Sequence, residues 1–179
     1  EDQLACHKFD NPICANPNHL YAGSFKSNGA DAARMMRESV RLAREEQRLV
    51  IFLEPIALYP MRDLHEAGDG AWMCEYPDPS ERLEFGQVTT HGNGKDLAIV
   101  TFGNGTYLSL QAQKRLAENG VKARIVDLNW LSPLPEDSLI AATKGCKNVL
   151  IVDETRRTGG LAEALMALFT EKSAFPAMF

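Results

Sequence analysis

Between Asn28 and Ala43 the apolar residues Ala33, Met36, Val40 and Ala43 recur at helical spacing and fall on one face. Asn28 is placed to cap this segment, and Asp31 stands in the first turn, where the helix dipole favours a carboxylate. The spacing predicts an amphipathic helix of about four turns. Leu49-Val-Ile-Phe-Leu53 follows, a short continuous apolar run that predicts a strand buried on both faces and ending at Glu54-Pro55. Further on, apolar runs at Leu97 to Phe102, Val121 to Leu128 and Val149 to Val152 predict three strands. Helical patterns lie between and after them. Leu108, Ala112, Leu116 and Ala117 line one helix, closed by Asn119-Gly120. Pro133-Leu-Pro135 opens a second, running through Ala142, and Thr158-Gly159-Gly160 opens a third through Leu161, Leu165 and Leu168. Strand and helix in alternation predict a mainly parallel sheet with right-handed crossovers, covered on both faces: an α/β fold of three layers, α/β/α.

The remaining stretches lack a sustained period. Residues 1–28, rich in Asn, Pro and His, read as loop or irregular structure. Residues 62–84, with Asp69-Gly70, Pro77 and Pro79, have the composition of an interdomain linker. The expected division is therefore 1–61, linker 62–84, and 85–179. The start at Glu1 inside an apparent loop, and the apolar run from Ala174 to Phe179, lead us to expect a fragment of a longer chain. Phe175, Met178 and Phe179 would then begin another buried strand, since burying one large apolar side chain is worth about 1.5–3 kcal/mol.

Composition narrows the classes of function. Apolar residues at 45% and charged residues at 24% are those of an ordinary globular chain, which excludes a disordered or fibrous protein. A net charge of -5, without a run of Lys or Arg, leaves no footprint for nucleic acid or an anionic membrane. No apolar stretch is long enough to span a bilayer or to serve as a secretory signal, so an intracellular protein is expected. Cys6, Cys14, Cys74 and Cys146 show no paired spacing and are expected to be reduced thiols rather than disulfides.

Several motifs invite chemistry. Gly103-Asn-Gly105 follows a strand and opens a helix, with Asp127 at the end of the next strand, in the manner of a dinucleotide fingerprint; Leu108 stands where the third glycine belongs. A tight strand-to-helix turn accounts for it equally. Arg156-Arg157-Thr158-Gly159-Gly160 sets two guanidinium groups at a helix N-terminus, suited either to an anion or to acidic groups of a partner subunit. Cys6, His7, Cys14 and His19 are all possible zinc ligands, but not at the close paired spacing of structural zinc sites. His91, in His91-Gly-Asn-Gly94, reads as a solvated turn histidine, and no Gly-x-Ser-x-Gly elbow is present.

Taken together, the helix, Val50-Ile-Phe-Leu-Glu54-Pro55 with Leu58-Tyr59, and the three-strand unit ending in Asp153-Glu154 and Thr158-Gly159-Gly160 resemble the beta subunit of 2-oxo acid dehydrogenases. The Phe-Leu-Glu-Pro and Leu-Tyr piece is specific to that subunit, whereas Thr-Gly-Gly is shared among transketolase-like C-terminal domains. The resemblance implies that residues 1–61 are the tail of a pyrimidine-binding domain and 85–179 a transketolase C-terminal-like domain, the latter truncated. It implies oxidative decarboxylation of a 2-oxo acid on thiamine diphosphate with acyl transfer to lipoamide. The diphosphate and its magnesium would be held mainly outside this chain, by an alpha subunit or fused equivalent. The implied partners are that alpha subunit, a second beta subunit and the lipoyl acyltransferase. The implied location is the cytoplasm of a bacterium or the mitochondrial matrix of a eukaryote. His7 falls at about the distance from Ser27-Asn28 where the family carries an active-site histidine, with His19 the second choice. The family's monovalent-cation loop corresponds to Arg44-Glu-Glu-Gln-Arg48, where Arg48 speaks against a bound cation, and no metal is assigned. Two other readings stay open: a different transketolase-like enzyme such as a deoxyxylulose phosphate synthase, and a nucleotide-binding regulatory α/β module using Gly103 to Gly105.

Overall fold

The computed structural model describes residues 4–7, 20–23 and 30–172. The chain forms two compact units, residues 1–50 with 61–83, and residues 51–60 with 84–179.

In the first unit, β1 (Leu4–His7) and β2 (Leu20–Gly23) form a two-stranded antiparallel sheet, with His7 opposite Leu20. Residues 1–28 are thus not wholly irregular; each strand is only four residues, too short for a period to stand out. Helix α1 (Ala30–Glu45) carries Asp31 in its first turn and Arg44 in its last, as the dipole favours. Its buried side is Glu38, Ser39 and Leu42, not the face expected from the apolar spacing: Met36 is 43% exposed and Val40 46%. The buried Glu38 carboxylate is held by two hydrogen bonds from Arg41, at 2.6 and 2.9 Å, which satisfies the charge and lets that side turn inward. An apolar stripe shows which side of a helix should be covered, but not whether this chain supplies the cover.

Residues 61–83 are irregular yet tightly held. Arg34 donates to Glu81 at 2.6 and 2.9 Å. Arg37 donates to the carbonyls of Asp78, Glu81 and Pro77 and lies 5.4 Å from the Tyr76 ring centre.

The expected strand at Leu49 to Leu53 does not form. Leu49 is 92%, Ile51 77% and Leu53 68% exposed. A strand buried on both faces needs a hydrogen-bonded neighbour, and among the described residues none pairs with this run.

The second unit is built on a four-stranded sheet of order β3-β5-β4-β6: β3 (Thr89–His91), β4 (Leu97–Thr101), β5 (Ala123–Asp127) and β6 (Asn148–Ile151). β4 pairs in parallel with β5 and with β6, in registers such as Ile99 opposite Ile125 and opposite Leu150; β3 adds an antiparallel edge. Helices α2 (Asn104–Glu118), α3 (Glu136–Thr143) and α4 (Leu161–Glu171) follow β4, β5 and β6. Successive strand residues point to opposite faces. Val100 and Val126 accordingly pack with Leu139, Leu165, Leu168 and Phe169 from α3 and α4, while Ile99 and Ile125 pack with Leu110 and Leu116 of α2. The three-layer α/β/α arrangement is as expected. α2 is turned from its expected orientation, however: Gly105, Thr106 and Ser109 are buried on the sheet side while Leu108 is 51% exposed. Small residues let this helix lie close to the sheet, and hydrophobicity alone does not weigh that. No helix among the described residues is long and apolar enough to cross a membrane.

Candidate functional site

The carboxyl ends of β4 and β6 are the place where an α/β sheet most often binds a ligand, because their following helices leave toward opposite faces. α2 and α4 do so here, and two of the sequence motifs meet at this point. Asn104, from the glycine turn after β4, donates its side-chain amide to Glu154 after β6 at 3.1 Å. Gly103 takes φ +56 as the residue before α2, a conformation that glycine tolerates. A Cβ on Gly105 would overlap the Thr101 hydroxyl, so the second glycine serves the close approach of helix to strand. The N–H groups of Gly105 and Thr106 already donate to the carbonyls of Phe102 and Gly103, at 3.0 and 3.1 Å.

The loop after β6 is closed in the same way. Asp153 accepts from the N–H groups of Thr155 and Ala162, and Glu163 accepts from Gly159 at 2.9 Å. Burial pushes the Asp153 carboxyl up, but hydrogen bonds from Thr155, Ala162 and Leu161 outweigh it and leave it below its ordinary range. Gly160 is required because a Cβ there would sit 2.6 Å from the Arg156 carbonyl oxygen. The anion-binding capacity expected of this helix start is taken up by the chain's own carboxylates, and Arg156 and Arg157 are exposed.

Glu54-Pro55 runs past the same region. A Cβ on Gly103 would lie 4.0 Å from the Pro55 ring, and the Tyr59 hydroxyl donates to the Glu54 carboxylate across a short 3-10 turn, Ile56–Leu58. Nearly fifty residues separate this piece from the glycine turn along the chain, so no local motif joins the two.

These residues do not fit a diphosphate or its metal. The turn's amides are engaged, Asp153 and Glu154 border it, and no group of three or more metal-ligating side chains occurs among the described residues.

The other candidates belong to other elements of the chain. His7 ends β1, and only its backbone pairing is described; Cys14, His19, Asn28 and Phe175 to Phe179 fall outside the described residues. His91 is not a turn residue: it belongs to β3, opposite Ile125, and its carbonyl accepts from Gln113. The three-residue edge strand Thr89–His91, polar throughout, gave no apolar signal by which to find it. In the segment after α1, Glu46 is bridged by Arg41 at 2.9 Å and Arg48 at 2.8 Å, and these bonds hold its carboxyl below the usual range.

Residues 86–178 match the family described as Transketolase, C-terminal domain. The chain belongs to this family. Among curated proteins, this transketolase C-terminal domain chain is 30% identical over 124 residues to the pyruvate dehydrogenase E1 component subunit beta of Bacillus subtilis (strain 168), covering 69% of the chain and 35% of that protein. It is 33% identical over 99 residues to the acetoin:2,6-dichlorophenolindophenol oxidoreductase subunit beta of Cupriavidus necator, covering 55% of the chain and 29% of that protein. Among solved structures it is similar to a split gene transketolase described as an inactive beta4 tetramer, with a TM-score of 0.51 and 32% identity over 57% of this chain and 34% of that one. The chain thus spans about a third of the length of the curated relatives it matches. The resemblance drawn from Phe52-Leu-Glu-Pro55 and Thr158-Gly-Gly160 and these similarities point to the same kind of subunit.

Proposed function

We propose that the chain forms part of the beta subunit of a thiamine diphosphate-dependent component that oxidatively decarboxylates a 2-oxo acid and passes the acyl group to lipoamide. The observation that carries this reading is the similarity, across 124 residues, to a protein named as a pyruvate dehydrogenase beta subunit. In this reading residues 1–61 close a pyrimidine-binding domain, 62–84 link it onward, and 85–179 form the C-terminal domain. Thiamine diphosphate and magnesium are held mainly by residues outside this chain, in an alpha subunit or fused equivalent. The present residues supply subunit contacts and one wall of the active site, where His7 orders the site and assists acyl transfer to the lipoyl group. A second beta subunit and the lipoyl acyltransferase complete the assembly, in the bacterial cytoplasm or the mitochondrial matrix.

Exposed apolar residues support the interface role. Ile51, Leu53 and Ile56 are exposed within one short segment of the second unit, and exposed apolar side chains grouped in this way mark surfaces that meet another protein. By this reading the 179 residues alone have no decarboxylase activity, because the cofactor carries the chemistry and its contacts lie elsewhere. The test is the complete beta coding region co-expressed with its alpha partner and assayed with 2-oxo acids, using both a dye acceptor and a lipoyl domain. His7→Ala should lower lipoyl acylation several-fold more than dye-coupled decarboxylation. Equal loss in the two assays, or none, removes the assigned role of His7. Turnover by the 179 residues alone would refute the division of labour. The similarity to the acetoin-oxidising subunit favours one second reading, cleavage of acetoin instead of a 2-oxo acid, and the same assay with acetoin distinguishes them.

A further inference from the structure

We propose that Asn93, in the segment that connects β3 to β4, is a site of spontaneous modification, converting to aspartate and isoaspartate in the folded protein. An asparagine followed by glycine is the step most open to this chemistry, because the next residue has no Cβ to hinder attack by its backbone nitrogen. Three such steps lie among the described residues: Asn93-Gly94, Asn104-Gly105 and Asn119-Gly120. Their hydrogen bonding separates them.

At Asn104 both reacting groups are engaged. The side-chain amide donates to Glu154 at 3.1 Å, and the Gly105 N–H donates to the Phe102 carbonyl at 3.0 Å. Asn119 is tied in the same way: its amide donates to the Arg115 carbonyl at 2.8 Å, and the Gly120 N–H donates to Ala117 at 3.0 Å. At the third step, Asn93 is exposed, and neither its side-chain amide nor the Gly94 N–H has a hydrogen-bond partner among the described residues. Of the three described steps, this is the one at which both the attacking nitrogen and the leaving amide are released from such restraint.

The reaction needs nothing but water. The Gly94 nitrogen attacks the Asn93 side-chain carbonyl carbon, forming a five-membered imide as ammonia leaves. Water then opens the ring at one carbonyl to give aspartate, or at the other to give isoaspartate, with no change of oxidation state. The surroundings make the isoaspartyl product disruptive, because it lengthens the main chain by one carbon where there is no slack. A Cβ on Gly92 would lie 2.6 Å from the Gln113 amide nitrogen, and one on Gly94 would overlap the Lys122 carbonyl. Gln113 also bridges the carbonyls of His91 and Ala123, at 3.1 and 3.0 Å, and so fastens the end of β3 to β5. Modification at 93 should loosen that edge strand first.

The experiment is ageing of the folded chain at mildly alkaline pH, followed by tryptic mapping of peptides 83–95, 96–114 and 116–122, which separate the three sites. Methylation by an isoaspartyl-specific methyltransferase supplies a second readout. Peptide 83–95 should convert several-fold faster than the other two in the folded protein, and the three rates should converge in denaturant. A conversion at Asn93 no faster than at Asn104 and Asn119 in the folded state overturns the proposal. So does a ranking that survives denaturation, since sequence and not the hydrogen bonds would then set it. In Asn93→Gln the methylation within peptide 83–95 should disappear, and its persistence there would overturn the assignment to Asn93.

Discussion

Each of the two units has its own kind of internal support. In the sheet unit, Val100, Val126, Leu128, Leu139, Leu165, Leu168 and Phe169 form one closed apolar cluster between the sheet and two helices. In the first unit, the described apolar side chains that are buried are Leu42, Leu64 and Pro77, and the irregular segment 61–83 is held by ionic and backbone-directed hydrogen bonds. Apolar burial is non-directional and scales with area, so it tolerates shape-conserving change and punishes cavities. Hydrogen-bonded staples depend on individual donors, so each one matters locally and little elsewhere.

The largest effect should come from opening the apolar cluster. Phe169→Ala removes a fully buried ring and should destabilise the sheet unit by about 3–5 kcal/mol in denaturant unfolding, whereas Phe169→Leu should cost clearly less. A loss below about 1 kcal/mol for the alanine variant would mean that the cluster is not the main support of this unit. The corresponding test in the first unit is Arg37→Ala, which strips three carbonyls of their donor. The expected cost is about 1–2 kcal/mol, confined to residues 76–83 and read as faster hydrogen exchange there. Arg37→Lys should restore only part of the protection, because an ammonium lacks the planar fork that reaches several acceptors at once. Exchange that quickens throughout both units would end the contrast between a local staple and a shared core.

The same difference decides what the sequence made legible. β4, β5 and β6 were readable because Leu97 to Thr101, Ala123 to Asp127 and Asn148 to Ile151 are apolar runs with turns on either side, and an apolar run has few other uses. The glycines at 103, 105 and 160 were readable as tight turns, and close backbone approach confirms their need at 105 and 160. The faces that α1 and α2 turn outward carry apolar residues, Met36 and Val40 on one and Leu108 on the other. Apolar spacing marks a side for covering, while Glu38 and Ser109 show that pairing and small size can decide which side turns inward. The run at Leu49 to Leu53 has the pattern of a buried strand but no described partner, a matter of what surrounds it and not of its own residues. Staples such as Arg37 on Pro77, Asp78 and Glu81 join residues forty positions apart and follow no period. At the candidate site, the meeting of Asn104 with Glu154 depends on strand order, which no local motif encodes.

A smaller effect of opposite sign is expected within the sheet unit. The Thr101 hydroxyl is buried at the end of β4 without a hydrogen-bond partner among the described residues. Thr101→Val replaces it with a methyl group of similar shape and should stabilise the unit by about 1 kcal/mol, since an unpaired buried hydroxyl carries a desolvation cost. A raised thermal midpoint supports this. A lowered one would show that the hydroxyl has a partner and that the apolar layer is more polar at its edge than the contrast above implies.

The finest test of a staple is its response to acid. The Asp69 carboxylate accepts from the N–H groups of Leu64, His65, Glu66 and Ala71, at 2.8–3.0 Å, and Asp63 accepts from Gly68 and Gly70. Hydrogen bonds from Ala71 and Leu64 lead in holding the Asp69 carboxyl far below its usual 3.8; desolvation opposes them, and His65 and Glu66 add to the lowering. A carboxyl with a depressed value in the folded state contributes stability that is fully present above its unfolded value and is lost as pH falls through the folded one. From neutrality down to about pH 4, the loop 63–71 should therefore keep its exchange protection, and protection should decay only in stronger acid. Asp69→Asn keeps an acceptor but removes the charge and replaces the second oxygen with a donor. That variant should open the loop to proteolysis at every pH and abolish the acid dependence while leaving the sheet unit's thermal midpoint unchanged. Loop opening in the wild type between pH 7 and 5 would mean that Asp69 is not its latch, because that carboxylate stays ionised throughout this interval.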